Sequence, residues 1–377
     1  MGSIVPLKDL PINGKKVLMR VDFNTPLNDQ GEVTDDARIK AALPTIEWIL
    51  SQGASLILMS HLGRPKGEKN LKYTLRPVAE RLSELLKEPV QFSGLDKAAD
   101  LKPGEVLLLE NLRFNPAEEN PDLDPGFAKE LASVADVYVN DAFGTAHRKH
   151  SSVTEVPKYF RQKAAGFLME KEIEVLKRLM ENPTRPFVVI LGGIKLSTKL
   201  GVVKALSDKA DKILIGGAMA YTYLKDRGVK VGDSLVENDV EPFKTDKIEL
   251  PIDVVAEKHG ETATFSVKEG IPDGYQGMDI GPETTKRFCD EILKAKTVFW
   301  NGPMGKFEDP RFSNGTFGVM QALADTDAYT LIGGGDSLLA AKESGLSEKI
   351  DHLSTGGGAS LKFLEKGSLP GVESLVD

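Results

Sequence analysis

The sequence is poor in thiols. One cysteine in 377 residues, Cys289, rules out an internal disulfide, and no Cys/His cluster has zinc-ligand spacing. This agrees with a reducing compartment. Long apolar runs are also missing: stretches such as Phe187 to Leu191 are far too short to span a bilayer. Residues 1–21 alternate polar and apolar side chains around Pro6 and Pro11 and lack the apolar core of a signal peptide. Pro6 also stands where a myristoylation signal needs Ser or Thr. We expect a cytoplasmic protein without a membrane partner. A formal net charge of -8 argues against general nucleic-acid binding, while leaving room for a local basic cleft. No sequence repeat with a period of about 20–50 residues and no low-complexity tract is present.

Several catalytic signatures are absent too. There is no Gly-x-x-x-x-Gly-Lys-Ser/Thr loop, no Gly-x-Gly-x-x-Gly opening the first βα unit, and no protein-kinase motif set. None of the five histidines forms an evident pair with Ser or Cys, and no paired-carboxylate motif stands out.

What remains is a recurring pattern of short β-branched or Leu-rich runs, each ending in a loop of special composition, with helical patterns between. That alternation predicts an α/β protein with mainly parallel sheets, whose ligands gather beyond the carboxyl ends of the strands. The length exceeds what a single core usually supports, so two domains are expected. In the first half, runs at 17–21, 55–59, 106–109 and 137–139 lead into Asp22-Phe23-Asn24, Ser60-His61-Leu62-Gly63-Arg64, Glu110-Asn111-Leu112-Arg113 and Asn140-Asp141 through Arg148. Three of these four strand ends deliver an arginine, and Arg38 follows Asp35-Asp36, which reads as a helix start. Arginine forks donate paired hydrogen bonds and keep their charge, so Arg38, Arg64, Arg113 and Arg148 with His61 suit a small, multiply charged anion. The plainer alternative is that each arginine pairs with a surface carboxylate of this acidic chain.

In the second half the strand ends deliver glycine. Runs at 187–191, 213–215 and 298–300 lead into Gly192-Gly193-Ile194-Lys195, Gly216-Gly217 and Asn301-Gly302-Pro303. Tyr329-Thr330-Leu331 leads through Ile332-Gly333-Gly334-Gly335-Asp336-Ser337 into a Leu/Ala helix. Such a corner points backbone N–H groups at one spot and cradles an anion. Asp336 adds a carboxylate for a hard cation such as magnesium, or else serves only as a helix N-cap. Lys195 and Lys199 lie four apart and would share a face if a helix starts there, a repulsive arrangement that polyphosphate would relieve. Ile173, Leu176 and Met180 fall on one face of a helix ended by Asn182-Pro183, read as a hinge or a spacer between two lobes. Residues 237–268 are poorly patterned apart from 252–255 and carry no functional reading. Phosphoryl transfer to an ionised carboxylate needs no general base, because positioning and charge neutralisation supply most of the catalysis.

In this order and spacing, Arg20-Val-Asp-Phe-Asn24, Ser60-His-Leu-Gly-Arg-Pro65, Glu110-Asn-Leu-Arg-Phe114, Asn140 to Arg148, Gly166 to Glu172, Trp300-Asn-Gly-Pro303, Gly333-Gly-Gly-Asp336 and Ser354 to Ser360 together resemble the phosphoglycerate kinases along practically the whole chain. The resemblance implies reversible phosphoryl transfer from 1,3-bisphosphoglycerate to Mg-ADP, giving 3-phosphoglycerate and ATP. It implies two Rossmann-like lobes closing about a central helix: residues 1–168 for phosphoglycerate, 169–183 as the helix, 184–366 for nucleotide, and 367–377 as a tail returning to the first lobe. By motif, Asp22, Phe23, Asn24, Arg38, His61, Leu62, Gly63, Arg64, Arg113 and Arg148 would bind phosphoglycerate. Lys195, Lys199, Gly277, Glu308, Gly334, Gly335, Asp336 and Ser337 would bind ATP or ADP, with Glu308 on the ribose and Asp336 on Mg2+. Arg38, Lys195, Gly334 and Gly335 would meet the transferring phosphoryl group, and a monomer is implied. Ile194 replaces a usual alanine, Ser337 a usual threonine and Asn115 a frequent histidine, and the segment from Val236 to Pro251 is shorter than the family pattern. Two rival readings are a two-lobed phosphorylated-acid binding protein without catalysis and an NAD-dependent dehydrogenase. The missing dinucleotide fingerprint counts against the second.

Overall fold

The computed structural model describes residues 4–376. The myristoylation reading at Met1-Gly2-Ser3 and the last residue of the expected tail therefore lie outside the described residues. The chain divides into two compact units, one of residues up to Val175 plus Ser368 onward, the other Leu176–Gly367.

In the first unit, β1 (Lys16–Arg20), β2 (Ser55–Met59), β3 (Val90–Ser93), β4 (Val106–Leu109), β5 (Val137–Asn140) and β6 (Lys163–Ala165) form one sheet of order β3-β4-β2-β1-β5-β6. All of its pairings are parallel. A parallel sheet covered on both faces needs near-continuous apolar runs, and β2 and β4 are buried at every position. The chain builds leftward from β1 and then crosses to β5, so the order reverses beside β1. In open parallel sheets such a reversal is where ligands usually bind, beyond the carboxyl ends of the strands.

The helix Ala37–Ser51 follows β1, and its Ile39, Ala42, Ile46 and Ile49 pack into the core. The helix Phe167–Glu181 begins where Asp141 and Thr45 accept the N–H groups of Met169 and Phe167. These bonds satisfy donors that a helix start leaves open. Burial pushes the Asp141 carboxyl up to about 6, against the N–H bonds that favour its charge. Residues from Ser368 onward attach to the same unit: Gly371 N–H donates to Ala146 at 2.8 Å and Ser374 Oγ to the Val153 carbonyl at 3.0 Å.

In the second unit, β7 (Phe187–Leu191), β8 (Lys212–Ile215), β9 (Ile248–Glu249), β13 (Thr297–Asn301), β14 (Tyr329–Gly333) and β15 (His352–Leu353) form a parallel sheet ordered β15-β14-β13-β7-β8-β9. Here the order reverses between β7 and β13. Between β9 and β13 the chain makes a separate antiparallel sheet from β10 (Asp253–Lys258), β11 (Glu261–Ser266) and β12 (Gln276–Ile280). The stretch without a clear sequence pattern thus holds three strands. Their signal is weak because β9 has two residues and β11 is largely exposed. Both parallel sheets agree with the expected fold class. Among the described residues no helix is long and apolar enough to cross a membrane.

Candidate functional site

At the carboxyl ends of β1, β2, β4 and β5 the first unit gathers Arg20, Arg113 and Arg148 around His61. Arg113 is 3% exposed; its Nη1 donates to the Gly63 carbonyl at 2.7 Å and its Nε lies 3.1 Å from Glu119. Its Nη2, and the Nε of Arg148, are buried without a hydrogen-bond partner. Buried polar groups are normally paired, so these two donors stand out in the cluster. His61 lies among them. Its pKa is held well below the usual imidazole value by burial first, then by the charges of Arg20 and Arg113. Burial likewise pulls His150 down to about 3, reinforced by Arg113, Arg20 and Arg148. Both imidazoles are therefore neutral near pH 7, and the arginines carry the charge.

The other residues of this set have separate local roles. Asp22 pairs with the half-exposed Arg38. Asn24 Oδ1 accepts the Gly63 N–H at 2.9 Å, and the fully buried Phe23 donates its N–H to Ser60 Oγ at 2.9 Å. Leu62 exchanges two bonds with the Asn111 amide, accepting at 2.7 Å and donating at 3.2 Å. Together these bonds fix the His61-Leu62-Gly63 loop. Gly63 needs to be glycine, since its φ is +60° and a Cβ would meet the Tyr73 ring at 2.4 Å. Arg64 is exposed.

Sequence reasoning left Arg20 and Glu118 outside the site. Both are fully buried beside it, with Ser152 between them. An arginine inside an apolar strand pattern was a usable signal, whereas Glu118 gave none.

In the second unit the loops after β7 and β13 are bonded to each other across the reversal point. Gly192 N–H donates to the Asn301 carbonyl at 3.0 Å, and Gly193 N–H to that of Pro303 at 2.9 Å. Trp300, wholly buried, donates its Nε1–H to Gly302 at 2.7 Å, which satisfies its one polar atom. After β14, Gly334 has φ +94° and opens the helix Gly335–Glu343. Gly335 faces open space. Ser337 Oγ, fully buried, accepts the Gly302 N–H at 2.6 Å and ties this helix start to the β13 loop. Asp336 lies exposed in the first helical turn and makes no side-chain cap; the cap position is Gly334.

The lysine pair is arranged differently from the helical expectation. A short 3-10 turn, Leu196–Thr198, follows Lys195, and the α-helix begins only at Leu200, so the two do not share a helical face. The glycines let the chain turn sharply, and Lys199 folds inward, 8% exposed, donating to the carbonyls of Gly192 at 2.6 Å and Asn301 at 3.0 Å. Burial lowers its pKa to about 8, although the Asp336 charge favours the ammonium. Lys195 is exposed. Ile194 is 66% exposed, so its bulk is not absorbed by packing. Gly277 lies in β12, and a Cβ there would meet Tyr221 at 2.2 Å, so its first requirement is the tyrosine ring. Glu308 is exposed, whereas Asp279 of β12 is buried and pushed up to about 7 by burial, against N–H bonds from Gly315 and Ile280. Among the described residues no group of three or more His, Cys, Asp or Glu could hold a metal ion.

The family model for phosphoglycerate kinase matches residues 7–367. Similar proteins include the phosphoglycerate kinase of Anaeromyxobacter dehalogenans (strain 2CP-C), 52% identical over 97% of each chain. Another is that of Thermosipho africanus (strain TCF52B), 50% identical over 98% of this chain and 97% of the relative. Among solved structures, the phosphoglycerate kinase of Coxiella burnetii aligns over 99% of each chain with a TM-score of 0.88 and 35% identity. The enzyme from Pyrococcus horikoshii OT3 aligns over 99% of this chain and 98% of its own with a TM-score of 0.84 and 34% identity.

Proposed function

We propose residue roles from the premise that the chain belongs to the phosphoglycerate kinase family. It is a phosphotransferase that moves a phosphoryl group reversibly between 1,3-bisphosphoglycerate and ADP, a glycolytic reaction. The family takes the nucleotide as its magnesium complex.

In our reading the first unit binds phosphoglycerate. Arg113 and Arg148 would grip its phosphate or carboxylate, and His61 would add a neutral donor. Arg38, paired with Asp22, would sit at the transferring group, while Asn24 and the 61–64 loop shape the site. The observation that carries this reading is the pair of buried guanidinium donors without partners, Nη2 of Arg113 and Nε of Arg148. Burying unpaired polar groups costs stability unless a ligand supplies the acceptor.

The second unit would bind the nucleotide. Lys199 and the amides at Gly334 and Gly335 would face its phosphates, Glu308 the ribose, and Lys195 the transferring phosphoryl. Ser337 would act through the turn it braces. Magnesium would be held by nucleotide phosphates and Asp336 and would neutralise phosphate charge; a single carboxylate fits a cation that keeps several waters. Preorganised cations and N–H groups then stabilise the charge spread over the phosphoryl oxygens as bonding changes. No general base is required, because the acceptor carboxylate is already ionised. We place the protein in the cytoplasm as a monomer without nucleic-acid or membrane partners.

A coupled assay with 3-phosphoglycerate, Mg-ATP and an enzyme consuming 1,3-bisphosphoglycerate tests the whole assignment. Activity should vanish with EDTA and collapse in Lys195→Ala. Activity that survives both would overturn the roles given to Lys195 and the metal.

A further inference from the structure

Behind the basic cluster of the first unit runs a chain of buried hydrogen bonds. Glu118 Oε2 accepts the Ser152 N–H at 3.0 Å, and Oε1 accepts the Ser152 hydroxyl at 2.6 Å. That hydroxyl in turn accepts from Arg20 Nε at 2.9 Å. Arg20 Nη2 then meets His61 Nδ1 at 3.2 Å and lies 3.9 Å from Glu118. Arg20, Glu118 and Ser152 are wholly buried and His61 is 4% exposed. A guanidinium only donates, so the His61 nitrogen facing it must offer a lone pair.

We propose that Glu118 is a positioning residue for the reaction: through Ser152 and Arg20 it holds the His61 imidazole neutral, with its proton on Nε2. The inference rests on the reading that this unit binds phosphoglycerate. His61 is thereby a fixed hydrogen-bond donor to the anion, and Arg113 and Arg148 supply the full charges.

The surroundings agree from every side. The groups acting on His61 are Arg20 from β1, Arg113 after β4, and Arg148 and His150 after β5; burial and all four of these disfavour imidazolium. Glu118 is wholly buried, and it faces Arg20 at 3.9 Å and His150 at 3.8 Å. Its pKa is raised by burial and opposed by Arg20 and Ser152. Residues Ser151–Glu155 form a single π-turn, a form that often marks functional sites, and it brings the Ser152 amide and hydroxyl onto one carboxylate.

Nitrogen-15 NMR of the histidine rings, with the His61 signal assigned by its loss in His61→Gln, reads the tautomer directly in the ligand-free protein. The wild type should show neutral His61 protonated on Nε2 at neutral pH, with no titration at the ordinary imidazole value. In Glu118→Gln the carboxylate charge that anchors Arg20 is gone, and the single tautomer should give way to a mixture. The KM for 3-phosphoglycerate should rise about tenfold in that variant, with the nucleotide KM and kcat within about threefold. Ser152→Ala removes the hydroxyl alone and should show the same split if the glutamine variant fails to fold. A His61 that titrates near its ordinary value, that carries its proton on Nδ1, or that keeps its tautomer in both variants would overturn the proposal. Addition of 3-phosphoglycerate separates the two claims: a His61 signal that never responds to it counts against the ligand assignment, whereas the tautomer tests Glu118 without any ligand.

Discussion

The ammonium of Lys199 donates to the carbonyl of Gly192 at 2.6 Å, at the carboxyl end of a central strand. A second bond at 3.0 Å runs to Asn301 on the neighbouring strand. The side chain thus clips together the two loops that part at the reversal of strand order. Burial lowers its pKa to about 8 from an ordinary 10.5. Between those values the unfolded chain holds a proton that the folded chain lacks, so this group makes stability rise with pH from about 8 to 10.5. Below about 8 both states are protonated and the contribution is flat. Lys199→Met should remove that alkaline slope from urea titrations.

The same group gives a test of nucleotide binding. Bound polyphosphate favours the ammonium, so near pH 8 nucleotide binding should take up a fraction of a proton. Calorimetry in buffers of different ionisation heat measures it. Uptake equal in wild type and Lys199→Met would remove Lys199 from the nucleotide site.

Arg113→Lys keeps the charge and loses the fork that serves Gly63 and the open Nη2 position. The KM for 3-phosphoglycerate should rise by about 10–100-fold, the equivalent of about 1.5–3 kcal/mol for a hydrogen bond to a charged group. The nucleotide KM should hold. An unchanged phosphoglycerate KM would leave the orphaned donors of Arg113 and Arg148 without a ligand role.

Lys195→Ala should cut turnover severely while leaving 3-phosphoglycerate binding near the wild-type value. The side chain is exposed, so little stability should be lost. Weakened phosphoglycerate binding with nearly normal turnover would reverse the assignment of the two units.

Gly334 and Gly335 separate structural from ligand requirements. Alanine at 334 meets a φ of +94° and the Asn301 amide at 2.8 Å, and should destabilise by about 1–3 kcal/mol. Alanine at 335 meets open space and should leave the melting temperature unchanged. If Gly335→Ala folds normally yet loses nucleotide affinity, close approach of a ligand is the reason for that glycine. Normal affinity would show that the turn does not meet the phosphates.

Much of the parallel framework was legible because its strands are continuous apolar runs. The readings at 55–59, 106–109 and 187–191 coincide with β2, β4 and β7. Short or half-exposed strands were not: β6 has three residues, β9 two, and β11 presents little apolar periodicity. Lys195 and Lys199 share no helical face, because Gly192 and Gly193 let the chain turn inward where spacing alone suggests a helix.

The amino-acid sequence by itself determined which chemistry stands at each strand end: arginines and a histidine in one half, glycines and lysines in the other, in an order that identifies the family. Periodicity and local spacing suffice for that, since each motif lies within one loop. Only the tertiary structure decided the state of those groups. Arg20 and Ser152 are 132 residues apart in sequence and 2.9 Å apart in the fold, and Glu118 reaches both only through packing. Whether a histidine is neutral, a lysine poised near pH 8 or a guanidinium left with an open donor depends on burial and on charges brought in from distant strands, which no local pattern encodes.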